Sequence, residues 1–183
     1  MLAVLALLFA PACSTSLSAQ SGGSSEYELK AAFLLNFAKF VEWPANVFRD
    51  EKTPFTVCIF GHDPFGSALD EVIRGKNINA RGILVHRTTG LADLKTCQLV
   101  FISEKEEKHL PDVFNSLNGA STLVVGESDD FAERGGSVQF FVEDNRMRFA
   151  VNVDAVQRAR LTISSKLLVL AKIVHDRNHS KGT

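Results

Sequence analysis

The apolar positions of this chain change period along its length, and each period marks an element. From Ser25 to Pro44 (SEYELKAAFLLNFAKFVEWP) they recur at helical spacing. Tyr27, Ala31, Phe33, Leu34, Phe37, Ala38, Phe40 and Val41 fall on one broad face, with Glu28, Asn36, Lys39 and Glu42 on the other. Ser25 and Glu28 have capping-box spacing, and Trp43-Pro44 is a stop, because the residue before proline is pushed out of the helical region. Lys30 sits on the apolar side, in the first turn of this predicted helix, where its stem can snorkel outward.

Beyond Pro44 short strands alternate with helices. Phe55 to Phe60 (FTVCIF) is a β-branched and aromatic strand ended by Gly61. Pro64 to Arg74 carries Phe65, Leu69, Val72 and Ile73 at helical spacing. Ile83 to Val85 predicts a second strand, Leu91 to Leu94 a turn of helix, and Leu99 to Ile102 (LVFI) a strand buried on both faces. Pro111, Val113, Phe114 and Leu117 with Gly119 beyond them predict a helix, and Leu123 to Val125 a fourth strand. This order argues for a mostly parallel sheet with helices on its faces.

The period then becomes two. Val138, Phe140 and Val142 alternate with polar or outward positions, and so do Met147, Phe149, Val151 and Val153 after Asp144-Asn145. That dipeptide between alternating runs predicts a tight hairpin. A last helix is expected from Ser165 to His175, with Leu167, Leu168, Leu170, Ala171 and Ile173 as its stripe and a frayed tail at 177–183. The fold class expected is therefore α/β: a single domain, 26–176, with a mostly parallel central sheet flanked by helices and an antiparallel C-terminal hairpin.

Composition narrows the function classes. The chain has 183 residues, enough for one domain with a real core. Its net charge of -1 gives no basic field for nucleic acid. Met1 to Ala19 contains no charged residue, and Leu2 to Phe9 is a short apolar run followed by small residues, as in a secretory signal. The positive start of such a signal is missing. Cys13 raises the alternative of a lipoprotein, but Ala10-Pro11-Ala12 departs from the usual lipobox. A soluble exported protein ranks first, with Gln20 to Ser25 as a Gly/Ser-rich flexible lead-in.

No catalytic constellation emerges. GHDPFG, at Gly61 to Gly66, is no phosphate-cradling loop. His62, His86, His109, His175 and His179 lack metal-ligand spacing, no G-x-S-x-G elbow is present, and no cofactor is expected. His62 reads as a solvated loop histidine, and the mixed run Glu104 to Lys108 as a solvated face. Arg146 and Arg148 project from one face of the hairpin, with Asn152 further along. They read either as an exposed sheet face with local ion pairs or as a polar rim for a partner or small anion. Ser164-Ser165-Lys166 at a helix start could hold an anion, although capping alone explains the serines. Cys58 and Cys97 read as a disulfide if the chain is exported, and as two buried free thiols if it is not.

Several blocks resemble one family in order and spacing. They are AAFLLNFAKFVEWP, FTVCIFG followed by DPFG, CQLVFIS, GGSVQF with RMRFAVN, and LTISSKLLVLA. Together they resemble the YfiR-type family of periplasmic proteins over roughly residues 26 to 174. The resemblance implies an exported, non-enzymatic regulator and favours a homodimer. It implies action on the periplasmic domain of an inner-membrane signalling protein, typically a diguanylate cyclase, which it represses. The alternative is a periplasmic small-ligand receptor that signals through a sensor histidine kinase. The family commonly carries a bond at the Cys58–Cys97 spacing; some members have a second pair near the hairpin, which this sequence lacks. The expected partner surface is the polar edge at Asn36, Lys39 and Glu42, or the hairpin face at Arg146, Arg148 and Asn152.

N-terminal sequencing of the exported protein should read from near Gln20. Recovery from the cytosol with Met1 intact, or lipid on Cys13, would overturn this.

Overall fold

A computed structural model describes residues 21–177. The expected leader, Met1 to Ala19 with Cys13, lies outside the described residues, as do Gln20 and residues 178–183 of the expected tail. In chain order the elements are α1 (Ser21–Phe40), β1 (Val41–Glu42), β2 (Phe55–Phe60), α2 (Ser67–Ile73), β3 (Asn77–Ile78) and β4 (Arg81–Thr88). There follow β5 (Leu99–Ile102), α3 (Leu110–Ser116), β6 (Leu123–Gly126), β7 (Val138–Glu143), β8 (Arg146–Asn152), α4 (Val153–Arg158), β9 (Thr162–Ile163), α5 (Ser165–Leu168) and β10 (Lys172–Val174).

The central sheet has eight strands in the order β10-β8-β7-β6-β5-β2-β4-β3. Its middle, from β4 to β7, is parallel throughout; β3 joins antiparallel to β4, β8 antiparallel to β7, and β10 parallel to β8. Two cores lie on its two faces. One is formed by α1, α2 and inward residues such as Val57, Ile59, Phe101, Val125, Phe140 and Phe149. The other gathers Phe60, Val100, Ile102 and Val124 under Leu110 and Val113 of α3. Strands β5 and β6 are buried along their full length, as their unbroken apolar runs require.

Most of the apolar stripe of α1 is buried as its period predicts, with Ala31, Leu34, Phe37 and Ala38 in the core and Val41 beyond the helix with them, but Phe40 at its end is exposed. Its ends differ from the sequence reading. Ser25 lies inside the helix, so the Ser25/Glu28 box is not its start, and residues 21–25 are helical instead of a lead-in. The helix stops at Phe40, before Trp43-Pro44, because Val41 and Glu42 find strand partners in Ile163 and Thr162 of β9.

The larger correction is at the C-terminus. The predicted helix Ser165 to His175 ends after one turn, and Lys172–Val174 forms β10 on the outer edge of β8. The open edge of β8 offers ladder hydrogen bonds, and β-branched Ile173 and Val174 suit a strand. Leu170 and Ile173 are consequently exposed rather than core. Val153, read as the last strand residue, instead opens α4. Arg177 is anchored too, its amide donating to the Glu133 carbonyl and its guanidinium bonding Asp130. The strand at Ile83 to Val85 is the centre of the longer β4, turned back from β3 through Asn79 and Ala80, both at positive φ.

Cys58 of β2 and Cys97, just before β5, form a disulfide. Their Cα atoms are 5.9 Å apart, and both residues are buried under α3. The bond settles the two readings of these thiols in favour of the pair. It closes a loop of 39 residues. Chain-entropy arguments put the value of such a loop at about 4 kcal/mol. Thiol titration of native protein purified without reductant should find neither sulfur free, and replacing both by Ser should lower unfolding stability by about that amount. Ready reaction of both thiols in folded protein would contradict the pairing.

Candidate functional site

The hairpin carries one expected surface. Asp144 and Asn145 take positive φ angles of 50° and 57°, which match the right-handed twist of the strands they join. Register then divides the side chains. Phe140 and Phe149 pair and point into the α1 core, so Phe141, Arg146 and Arg148 occupy the opposite face. Arg146 is exposed, and its side chain has no hydrogen bond or ion pair among the described residues. The Arg148 Nε lies 3.9 Å from a Glu143 carboxylate oxygen, a loose exposed pair of little energetic weight. Lys172 of β10 sits over the Phe141 ring at 5.7 Å.

Asn152 does not join them at the surface. It is fully buried, its amide donating to the Ala132 carbonyl at 2.6 Å and to Asp176 at 2.8 Å. Its Oδ1 accepts the Asp154 and Ala155 amides and so caps α4. The alternation placed it on the right face, but the cap and the C-terminal segment cover it.

The other expected positions meet near the C-terminal end of α1. Asn36, Lys39 and Glu42 are exposed, and the Ser164 amide donates to the Phe40 carbonyl at 2.9 Å. This brings Ser164, Ser165 and Lys166 toward the same end of the molecule. The Ser164 hydroxyl accepts the Lys166 amide at 3.3 Å, as a cap of the one-turn α5. Because α1 covers one face of the sheet and Arg146 and Arg148 project from the other, the two expected partner surfaces lie on opposite sides.

Sequence reasoning missed the buried charges. Lys30 does not snorkel out; it is 4% exposed. Its Nζ contacts Glu26 at 2.6 Å and Glu127, just after β6, at 2.5 Å. Glu127 also accepts the Tyr27 hydroxyl at 3.1 Å and the Glu104 amide at 3.2 Å. Burial first, and then the negative charge of Glu127, push the Tyr27 phenol above its usual pKa. A lysine within an apolar helical stripe was the available signal, since such a charge needs a carboxylate from elsewhere in the fold. Beside this cluster a cleft of about 460 Å³ opens between the start of α1, the 127–129 turn and the hairpin.

A second polar knot ties the turns after β2 and β5. Glu106 accepts the His62 amide at 3.0 Å and bonds the His109 Nδ1 at 2.8 Å. Burial opposes its charge, but these two partners and Lys108 outweigh burial and hold its carboxyl below the usual range. Part of the run 104–108 is thus an internal fastener, not a wholly solvated face. Arg87 of β4 similarly bridges Asp63 at 2.6 Å and Asp70 at 2.7 Å.

The family model described as YfiR/HmsC-like matches residues 27–172. The chain belongs to that family. Membership in the YfiR/HmsC-like family supports a periplasmic regulator of cyclic di-GMP signalling in general, and the disulfide is consistent with the periplasm. Among solved structures, a conserved domain protein from Vibrio cholerae O1 biovar El Tor is similar at a TM-score of 0.53 and 10% identity, over 80% of this chain and 59% of that one. The ABC domain from Streptococcus pneumonia, solved in complex with L-Trp, is similar at a TM-score of 0.49 and 9% identity, over 66% of this chain and 56% of that one. The chain thus spans less than two thirds of either structure, and the Vibrio cholerae likeness is one of fold alone. No helix among the described residues is long and apolar enough to cross a membrane.

Lys30→Met should cost about 3 kcal/mol, because it strands the buried Glu127 carboxylate. The double change Lys30→Met with Glu127→Leu should recover much of that loss, since both charges leave together. Urea unfolding followed by circular dichroism measures both, and additive losses would show that the pair is not coupled.

Proposed function

We propose that this YfiR/HmsC-like protein binds the periplasmic domain of an inner-membrane diguanylate cyclase and holds it inactive, so that cyclic di-GMP output falls on binding. The family match over residues 27–172 carries this reading. The fold supports it with a surface of suitable chemistry. On the outer hairpin face Arg146 has no internal partner, Arg148 only a loose one, and Lys172 and half-buried Phe141 lie beside them. Arginine and aromatic side chains dominate binding energy at protein interfaces, and this basic face favours an acidic partner surface. The edge at Asn36, Lys39 and Glu42 is the second surface of the proposal. A homodimer belongs to the same reading and would place two copies of each surface in one assembly.

Deleting the gene should raise cyclic di-GMP and biofilm matrix. Charge reversal at Arg146 or Arg148 should weaken repression while leaving the circular dichroism spectrum unchanged, because neither side chain enters a core. Reversal at Lys39 tests the second surface in the same reporter, and light scattering reports the dimer. Unchanged cyclic di-GMP on deletion, with a sensor kinase recovered in a membrane pull-down, would replace the cyclase by the kinase-linked receptor.

A further inference from the structure

Neighbouring strands β2 and β5 send their connections to opposite faces of the sheet. The path from β2 places Phe65 and Leu69 in the α1 core, while the path from β5 places Leu110 and Val113 in the other. In open α/β sheets such a switch leaves a crevice at the C-terminal strand ends, and ligands bind there. This fold has a cavity of about 400 Å³ at that place, within the usual size of small-molecule sites.

Its wall is built with close tolerances. Gly61 has φ +72°, and a Cβ there would fall 2.3 Å from the Glu106 Cδ, so glycine lets the carboxylate reach beneath the turn. The His109 ring, bonded to Glu106, stands edge-on to Phe60 at 6.2 Å. Phe60 and Leu91 supply apolar surface. At the mouth, the His62 Nε2 lies 3.1 Å from the Lys105 ammonium, which can only donate, so that nitrogen is the acceptor. The lining has no Lys or Arg, and its two carboxylates are Glu106 and Asp112. Asp112 is exposed, and its carboxylate has no hydrogen bond or ion pair among the described residues.

We propose that this crevice binds a small aromatic monoamine, its ring against Phe60, Leu91 and His109 and its ammonium on Asp112. The apolar surface recognises the ring, and Asp112, the lining carboxylate whose side chain has no partner among the described residues, favours a cation over an anion. The proposal is independent of the partner reading, since it uses neither the hairpin face nor the end of α1.

Amide NMR spectra of the oxidised protein, titrated with phenethylamine, test it. Shifts should saturate and centre on Gly61, His62, Leu91 and Asp112. Phenylacetate, with the charge reversed, and methylamine, without the ring, should each bind about tenfold more weakly. Asp112→Asn, at an exposed position, should weaken phenethylamine about fivefold, the scale of one exposed ion pair. Absent or scattered shifts, equal binding of phenylacetate or methylamine, or undiminished affinity in the Asp112 variant would each overturn the proposal.

Discussion

The packing of α1 on the hairpin is the interaction on which most of this structure depends. Phe37 lies 5.6 Å from the Phe140 ring and 5.1 Å from the Phe149 ring, and Phe33 touches both as well. Such aromatic pairs add about 0.5–1.5 kcal/mol each beyond the area they bury. The aromatic centre is flanked by two different fasteners. Toward the start of the helix, Lys30 is locked to Glu127; beyond its end, β1 pairs with β9. Seating α1 this way commits the Phe140 and Phe149 side of the hairpin to the core. The opposite side, with Arg146 and Arg148, is left for something outside the chain.

The same logic sorts the polar residues. Glu127, Glu106 and Asn152 all sit in or near loops that could be taken for binding surface. Each is instead saturated from within: Glu127 by Lys30, Tyr27 and the Glu104 amide, Glu106 by His62 and His109, Asn152 by a helix cap and Asp176. A buried charge without such partners would carry a penalty of several kcal/mol, so these networks belong to the fold. Arg146 on the hairpin and Asp112 at the crevice are not committed in this way.

Where the sequence was legible, one periodicity had one physical solution. FTVCIF, LVFI and the Asp144-Asn145 hairpin could be read because short β-branched runs and a turn of that type admit few alternatives. The C-terminal stripe was not legible, since Leu167 to Ile173 fits a helix locally and only the open edge of β8 decides otherwise. The role of Asn152 was hidden for a related reason: strand parity fixes its face, but its burial comes from Asp176 and Ala132, 24 and 20 residues away. Lys30 and Glu127 are 97 residues apart, and no local pattern reports such a pairing.

The disulfide connects these themes. It links β2 to the segment entering β5, the two strands whose divergent connections create the crevice. Cys58 pairs in register with Val100, while the crevice opens two residues further along β2, beyond Phe60. The bond lies on the α3 side, and the switch-point loops are fastened at the opposite end of the strands by Glu106. A covalent tie below and a hydrogen-bonded carboxylate above therefore hold the same pair of strands. The crevice is bounded by elements that the fold already fixes at both ends, which keeps the ordering cost of binding there low.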